Sequence, residues 1–78
     1  MADRLIEVFA GVLGLEPERL NDETSPANTP KWDSLSAIML VTEIEATFEL
    51  ELSTSDIESM NSIGRARAAL RRLGVADL

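Results

Sequence analysis

The stretch from Ser34 to Glu49 constrains the fold more than any other part of this sequence. It contains neither glycine nor proline, and Asp33 in front of it is a good helix N-cap. Pro30 cannot lie inside the same helix, because its ring would clash with the preceding turn. A long α-helix is therefore predicted from about Ser34 to Glu49, and the other segments must pack around it.

A first helix is predicted from about Ala2 to Leu13. Its apolar residues recur at steps of three and four, which is helical spacing: Leu5, Phe9, Val12 and Leu13. Asp3 suits the first turn, where an acid interacts favourably with the helix dipole, and Gly14 is a plausible stop.

Residues 15–31 break this helical pattern. They are rich in turn formers and helix breakers, namely Pro17, Asn21, Asp22, Thr24, Ser25, Pro26, Asn28 and Pro30. A long ordered loop is predicted here, and Leu15 and Leu20 could anchor it to the core. Loops of this length in a small domain are usually functional or disordered.

Two further helices follow the long one. Ser53 or Ser55 could cap a helix of one or two turns, and Asn61 or Ser62 could cap a last helix that Gly74 ends. The last helix would bury four residues on one face: Ile63, Ala66, Leu70 and Leu73. The prediction is an all-α four-helix bundle, with three longer helices, one short helix and a long first loop, forming a single domain over residues 1–78.

The net charge of the chain limits the classes of molecule that such a bundle would bind. Its 78 residues include 14 acidic and 7 basic side chains, which gives a net charge of −7. This surface would repel nucleic acid and membranes and attract basic protein surfaces, although acidity also serves solubility alone. The longest apolar run, residues 37–41, is too short to span a membrane, and the chain opens with no signal-peptide pattern. The expected location is the cytoplasm, and we also expect a monomer.

The side chains most often used in catalysis are missing. The sequence has no histidine, cysteine or tyrosine, and its four glycines are scattered singly. A serine nucleophile would lack an activating base, and there is neither a glycine-rich phosphate loop nor a metal-ligand pattern. We predict that the protein is not an enzyme, and that any residue doing chemistry is the substrate of another enzyme.

The long helix has one more apolar stripe than packing on one side requires. At about 100° per residue, one arc suits the core: Ala37, Leu40, Val41, Ile44 and Phe48. A second arc is centred about 90° from Ser34: Leu35, Ile38, Met39, Thr42 and Ala46. The second arc is either a further packing contact, under the long loop, or an exposed patch of the kind that marks binding sites. Ser34 itself is either a spare capping residue or a modification site at a helix end that favours anions.

The run Trp32-Asp33-Ser34-Leu35 resembles the Asp-Ser-Leu signature of acyl carrier proteins. Its place, opening the second of four helices after a long loop, resembles that family too, and so do three later stretches: Leu40 to Phe48, Ser53 to Ile57, and Asn61 to Ile63. The resemblance covers essentially the whole chain. It implies that Ser34 is esterified with 4′-phosphopantetheine from coenzyme A, whose thiol holds an acyl group as a thioester.

The resemblance also implies partners and a partner surface. A phosphopantetheinyl transferase would attach the arm, and acyl-loading, condensing or acyl-transfer enzymes with basic docking surfaces would use it. Asp33 and Leu35 would flank the arm. The partner surface would comprise apolar, hydroxyl and acidic side chains: Ile38, Met39, Thr42, Glu43, Glu45, Glu49, Asp56 and Glu58. No catalytic residue and no metal ligand is expected.

Two positions depart from the carriers of housekeeping fatty-acid synthesis. Those carriers usually have an acid directly after the signature and another three residues later, where this chain has Ser36 and Met39. Trp32 before the signature is more typical of polyketide-like, peptidyl or specialised carriers. The sequence therefore predicts a specialised acyl carrier for fatty-acid, polyketide or related biosynthesis. A free-standing peptidyl or aryl carrier and an unmodified helical interaction module remain the alternatives.

Overall fold

The computed structural model describes residues 3–76. These residues form four α-helices: α1 (Arg4–Leu13), α2 (Ser34–Phe48), α3 (Thr54–Ser59) and α4 (Ile63–Arg72). A short 3₁₀ turn (Pro17–Arg19) interrupts the long loop between α1 and α2. Three helices are long and one is short, and the described part of the chain contains no strand. The prediction of an all-α four-helix bundle with a long first loop is therefore confirmed.

The ends of α1 match the sequence pattern with one correction. Asp3 is the N-cap rather than a first-turn residue, because its carboxylate accepts hydrogen bonds from the Leu5 and Ile6 N–H groups at 3.1 and 3.2 Å. Gly14 ends the helix in the left-handed region, at a φ of 68°. Ala2, the predicted first residue, lies outside the described residues.

The ends of the other helices bring two further corrections. Of the two candidates predicted for each cap, Ser53 caps α3 and Ser62 caps α4, but α2 stops at Phe48 and Glu49 is its C-cap, with a φ of 55°. Leu73 was expected on the buried face of α4 and is 42% exposed, because α4 ends at Arg72 and the chain turns at Leu73 and Gly74. Ala69 takes a buried place on that face instead.

The core fills the space where α1, α2 and α4 meet. Leu5, Phe9, Ile44, Ile63 and Leu70 are its largest fully buried side chains. Trp32, from the end of the long loop, joins them with an edge-to-face contact to Phe9, the ring centroids being 5.0 Å apart. Because this core holds the inner face of α2, the opposite face of that helix is left for solvent.

The long loop is anchored to the bundle by the two leucines that the sequence suggested and by backbone hydrogen bonds to α4. Leu20 is buried and Leu15 is half-buried against the core, as predicted. In addition, the loop backbone accepts hydrogen bonds from the start of α4: Ile63 N–H donates to the Thr24 carbonyl at 3.0 Å and Gly64 N–H to the Asp22 carbonyl at 2.9 Å. The loop therefore packs against the N-terminus of α4.

Arg67 joins α4 to both α1 and the long loop. Its Nη2 donates to Asp3 Oδ2 at 2.9 Å and its Nε donates to Asp22 Oδ1 at 3.2 Å, and its side chain is only 12% exposed. Partial burial opposes ionisation of Asp3, but the hydrogen bonds from Arg67 and the Ile6 N–H outweigh it and lower the pKa of that carboxyl. We call the residues Asp3, Asp22, Gly64 and Arg67 the clasp.

Candidate functional site

The N-terminus of α2 is built by a reciprocal pair of hydrogen bonds between Asp33 and Ser36. Asp33 Oδ1 accepts from the Ser36 N–H at 3.0 Å, and Ser36 Oγ accepts from the Asp33 N–H at 2.9 Å. This capping box satisfies two donors that the helix start would otherwise leave unpaired. Since Asp33 is the cap, Ser34 is the first residue of the helix and has no capping role.

The two serines of this first turn occupy opposite environments. Ser36 is buried, and its hydroxyl donates to the Lys31 carbonyl at 2.9 Å while accepting from Asp33. Ser34 is exposed, and within residues 3–76 no hydrogen bond uses its hydroxyl. This capping role of Ser36 was not predicted, although its spacing of three residues from Asp33 was the available signal in the sequence. Of the two hydroxyls, only that of Ser34 is free to react.

The electrostatics at Ser34 come from the helix end and from Asp33. The hydrogen bond from the Ser36 N–H to the Asp33 carboxylate is the main reason why the pKa of Asp33 lies below its ordinary value. Asp33 is therefore ionised at neutral pH, with its charge turned toward the first turn of α2. The remaining N–H groups of that turn and the positive end of the helix dipole favour a second anion beside Ser34.

The second apolar arc of α2 is an exposed patch and does not pack under the long loop. Leu35 is 69% exposed, Ile38 67% and Met39 47%. Thr42 is also exposed, and its hydroxyl donates back to the Ile38 carbonyl at 3.3 Å. We call the outward side of α2 the open face; it comprises Ser34, Leu35, Ile38, Met39, Thr42 and Glu43. Apolar exposure at this level, next to an exposed serine hydroxyl, is typical of a binding surface.

Met39 lies at the edge of the open face, beside α1. It lines a wide hollow of about 540 Å³ between α1 and α2, opposite Val8 and Val12, and Glu43 lines the same hollow one turn further along. Its side chain thus faces solvent and α1 together. The interpretation that Met39 packs beneath the long loop is not what the structure shows.

The predicted acidic residues fall into two groups. Glu43, Glu49 and Glu58 are exposed. Glu45 is half-buried, and its Oε2 accepts from the Leu52 N–H at 2.9 Å, so it holds the connection between α2 and α3. Asp56 forms the capping box of α3 with Ser53, and the Ser53 N–H is the main cause of a lowered pKa of Asp56. Glu45 and Asp56 therefore stabilise local structure, a role that was not predicted for either residue.

Over residues 3–76, no three histidine, cysteine, aspartate or glutamate side chains lie close enough together to hold a metal ion. In the same part of the chain, none of the helices combines the length and apolar character needed to cross a membrane.

An exposed hydroxyl at the positive end of a helix, in a small bundle whose sequence has no histidine, describes a domain on which another enzyme acts. Comparison with protein families agrees with this class: the profile of the phosphopantetheine attachment site matches residues 3–70. The chain belongs to the phosphopantetheine attachment-site family. It is a phosphopantetheine carrier protein, and its cofactor is covalently attached 4′-phosphopantetheine. Such a carrier interacts with a phosphopantetheinyl transferase and with acyl-handling enzymes.

Proposed function

We propose that Ser34 is the residue that carries 4′-phosphopantetheine. The observation that carries this assignment is the contrast within one helical turn, where Ser34 Oγ is exposed and Ser36 Oγ is buried and bonded to backbone. The site also fits the group. The phosphate of the arm would lie beside the N–H groups at the start of α2, and the arm would leave into solvent past Leu35, which is exposed.

Attachment takes place within a separate transferase. Ser34 Oγ attacks the phosphorus of the pantetheine phosphate, so that the Oγ–P bond forms and the bond to the adenosine 3′,5′-bisphosphate part of coenzyme A breaks. The serine proton leaves to a base of the transferase or to solvent. When bound, 4′-phosphopantetheine supplies a terminal thiol that holds an acyl group as a thioester. The contribution of this chain is to fix the start of α2 through Asp33 and Ser36 and to hold Ser34 clear of the bundle.

The direct test is modification of the purified protein. Incubation with coenzyme A and a broad-specificity phosphopantetheinyl transferase should add one arm, seen by intact mass spectrometry, and fragmentation should place it on Ser34. A protein that gains no mass under conditions that modify a known carrier would be the unmodified interaction module instead. Family membership favours the carrier over that module.

The function we propose is that of an acyl carrier with a dedicated set of partner enzymes in fatty-acid, polyketide or related specialised biosynthesis. The open face offers partners an apolar strip beside Ser34 and the carboxylate of Glu43, while Glu49 and Glu58 extend the acidic surface. No basic residue lies between Trp32 and Gly64, so this side of the molecule suits enzymes with basic docking surfaces. A cytoplasmic, monomeric protein of a single domain remains our prediction.

Met39 is the residue on which the proposal of dedicated partners rests. An acid at this position would add a charge for a basic docking patch, whereas Met39 offers a flexible apolar contact that is half exposed. A rim charge acts mainly on the association rate and its salt dependence. We therefore expect slow docking, with weak salt dependence, to enzymes of housekeeping fatty-acid synthesis.

The holo protein and its Met39→Glu variant should be compared as substrates of a fatty-acid condensing enzyme at several salt concentrations. Met39→Glu should raise kcat/KM about tenfold or less, as expected for one rim charge, and steepen the salt dependence. Leu73→Glu is the matched control, since Leu73 is an apolar residue of similar exposure at the end of α4. Wild-type elongation as efficient as that of a housekeeping carrier, with no gain from Met39→Glu, would contradict the specialised surface.

A peptidyl or aryl carrier would have the same arm and a different cargo. The cargo can be determined by offering the holo protein to loading enzymes for fatty acyl, aminoacyl and aryl groups and comparing kcat/KM. We expect the acyl-loading enzyme to be the most efficient of the three. Preferential loading with an amino acid or an aryl acid would replace the acyl-carrier proposal with that alternative.

A further inference from the structure

A small cavity inside the bundle bears on where the cargo goes. It lies between α2 and α3, against Trp32, and Ile57 and Met60 form its α3 side. All eight residues that line it are apolar, so an acyl chain is the kind of cargo that it could accept. The volume of this cavity is about 50 Å³.

This volume is too small for most acyl chains. A protein cavity of about 150 Å³ accommodates benzene, which corresponds to roughly 25 Å³ for each carbon atom. On the same scale, 50 Å³ holds about two carbons. A thioester that carries more than an acetyl-sized group therefore needs the cavity to be enlarged before it can enter.

Trp32 occupies the space that a larger cavity would need. Its side chain is 6% exposed, lines the cavity and meets Phe9 edge-to-face at 5.0 Å. Trp32 is also two residues before Ser34, so its indole ring fills the bundle at the end of α2 where the arm is attached. Moving the ring aside would break the aromatic contact and open the core.

The α3 side of the cavity is also held in place. The hydrogen bond from the Leu52 N–H to Glu45 Oε2, at 2.9 Å, ties the chain that leads into α3 to the last turn of α2. Leu50 and Leu52 pack against the core on the same connection. Displacing α3 to make room for a chain would disturb these contacts together.

Given Ser34 as the attachment site, we propose that this carrier keeps its acyl cargo outside the bundle and that Trp32 closes the core to acyl groups longer than about two carbons. The cargo then remains in reach of partner enzymes. The apolar surface nearest to Ser34 is the open face, where Leu35 and Ile38 are more than two-thirds exposed.

The test loads the 78-residue protein with acyl groups of increasing length. A transferase that accepts acyl-coenzyme A attaches acetyl-, butyryl-, hexanoyl- and octanoyl-phosphopantetheine, and intact mass confirms one arm per chain. The melting temperature and the Trp32 fluorescence maximum are then measured for each form. Burial of cargo in the folded state alone would raise the melting temperature by roughly 10 °C for each two carbons buried.

We expect no such rise in the wild type, with melting temperatures from acetyl to octanoyl agreeing within about 1 °C and the Trp32 emission unchanged. Trp32→Phe should make room beside Phe9, and its melting temperature should increase with chain length. Phe48→Leu is the control, because Phe48 is a half-buried aromatic residue that does not line this cavity, and its melting temperature should remain flat.

Each possible outcome of these measurements supports or contradicts a part of the proposal. A wild-type melting temperature that climbs with chain length, together with a shift in Trp32 emission, would overturn the external cargo. A flat response in both the wild type and folded Trp32→Phe would overturn the role of Trp32 as the closing residue. If Trp32→Phe does not fold, the wild-type series alone decides whether the cargo enters. Failure to attach any arm would instead overturn the proposed function, and intact mass distinguishes that case.

Discussion

The clasp and the open face lie on the same small bundle and use their charges in opposite ways. In the clasp, Arg67 bridges Asp3 and Asp22, and the start of α4 donates to the loop backbone. On the open face, apolar side chains and Glu43 face solvent beside the Ser34 hydroxyl, which makes no hydrogen bond to any other residue in the range 3–76. The difference indicates that one region holds the fold together while the other is left available for other proteins.

The order of charges along the chain produces this division. All seven basic residues lie outside residues 33–63, the stretch that contains α2 and α3. Basic residues are therefore supplied by α1, the long loop and α4, where the clasp is. Substitutions in the clasp should change stability and leave modification intact, and substitutions on the open face should do the reverse.

The largest difference between a substitution that affects modification and one that affects stability is expected at the two serines in the first turn of α2. Ser34→Ala should abolish phosphopantetheine attachment completely and shift the melting temperature by no more than about 2 °C, because its hydroxyl makes no hydrogen bond among the described residues. Ser36→Ala should still be modified, but it should lose about 1 kcal/mol of unfolding free energy with its capping box. Intact mass and urea unfolding of both variants provide the measurements. Modification of Ser34→Ala would show that the arm is elsewhere.

The next largest effect is expected in the clasp. Arg67→Met should lower the unfolding free energy by about 2 kcal/mol, less than for a fully buried pair because Asp3 and Asp22 are partly exposed. Arg71→Met removes an exposed charge from the same helix and should change it by no more than about 0.5 kcal/mol. Both proteins should be modified at the wild-type rate below their melting temperatures. Equal losses of unfolding free energy in the two variants would mean that the clasp does not stabilise the fold.

Replacing two of the glycines with alanine should change the unfolding free energy in opposite directions. A Cβ at Gly64 would lie 3.0 Å from the Asp22 carbonyl oxygen and 3.1 Å from Asp22 Cβ, so Gly64→Ala should loosen the loop and cost about 1 kcal/mol. Gly11, on the exposed side of α1, has nothing within 4 Å of such a Cβ. Gly11→Ala should therefore stabilise the protein by roughly 0.5–1 kcal/mol through helix propensity. Chemical unfolding of both variants measures the difference, and two losses would contradict the open hollow beside Gly11.

The smallest effect concerns two aspartates whose pKa values are both lowered. Asp33 is next to the arm, whereas Asp3 is in the clasp. A phosphodiester on Ser34 is a like charge, so attachment should raise the pKa of Asp33 toward its ordinary value and leave Asp3 unchanged. A lowered folded pKa gives stability that is present above the unfolded pKa and is lost as pH falls through the folded value, so in the holo form the loss due to Asp33 should be smaller and should be complete at a higher pH. Carboxyl NMR titrations of the apo and holo proteins test both residues, and equal shifts would contradict the placement of the arm.

Local interactions explain why the sequence alone determined so much of this protein. The helical period and the residues that begin and end each helix depend on neighbours within one or two turns, so they can be recognised from the sequence. Examples are the caps Asp33, Ser53 and Ser62 and the stop at Gly14. The same local argument placed Ser34 at the start of α2. The charge division was likewise available from the positions of the basic residues.

Only the tertiary structure decided the features that depend on how helices pack. The second stripe of α2 could have been a packing contact or a free surface, and the positions of the neighbouring helices left it exposed. Arg67 meets Asp3 across 64 positions of sequence, which no helical period predicts. Glu45 became the partner of Leu52, and Trp32 came to line an interior cavity of only about 50 Å³, because side chains from separate elements compete for one small volume.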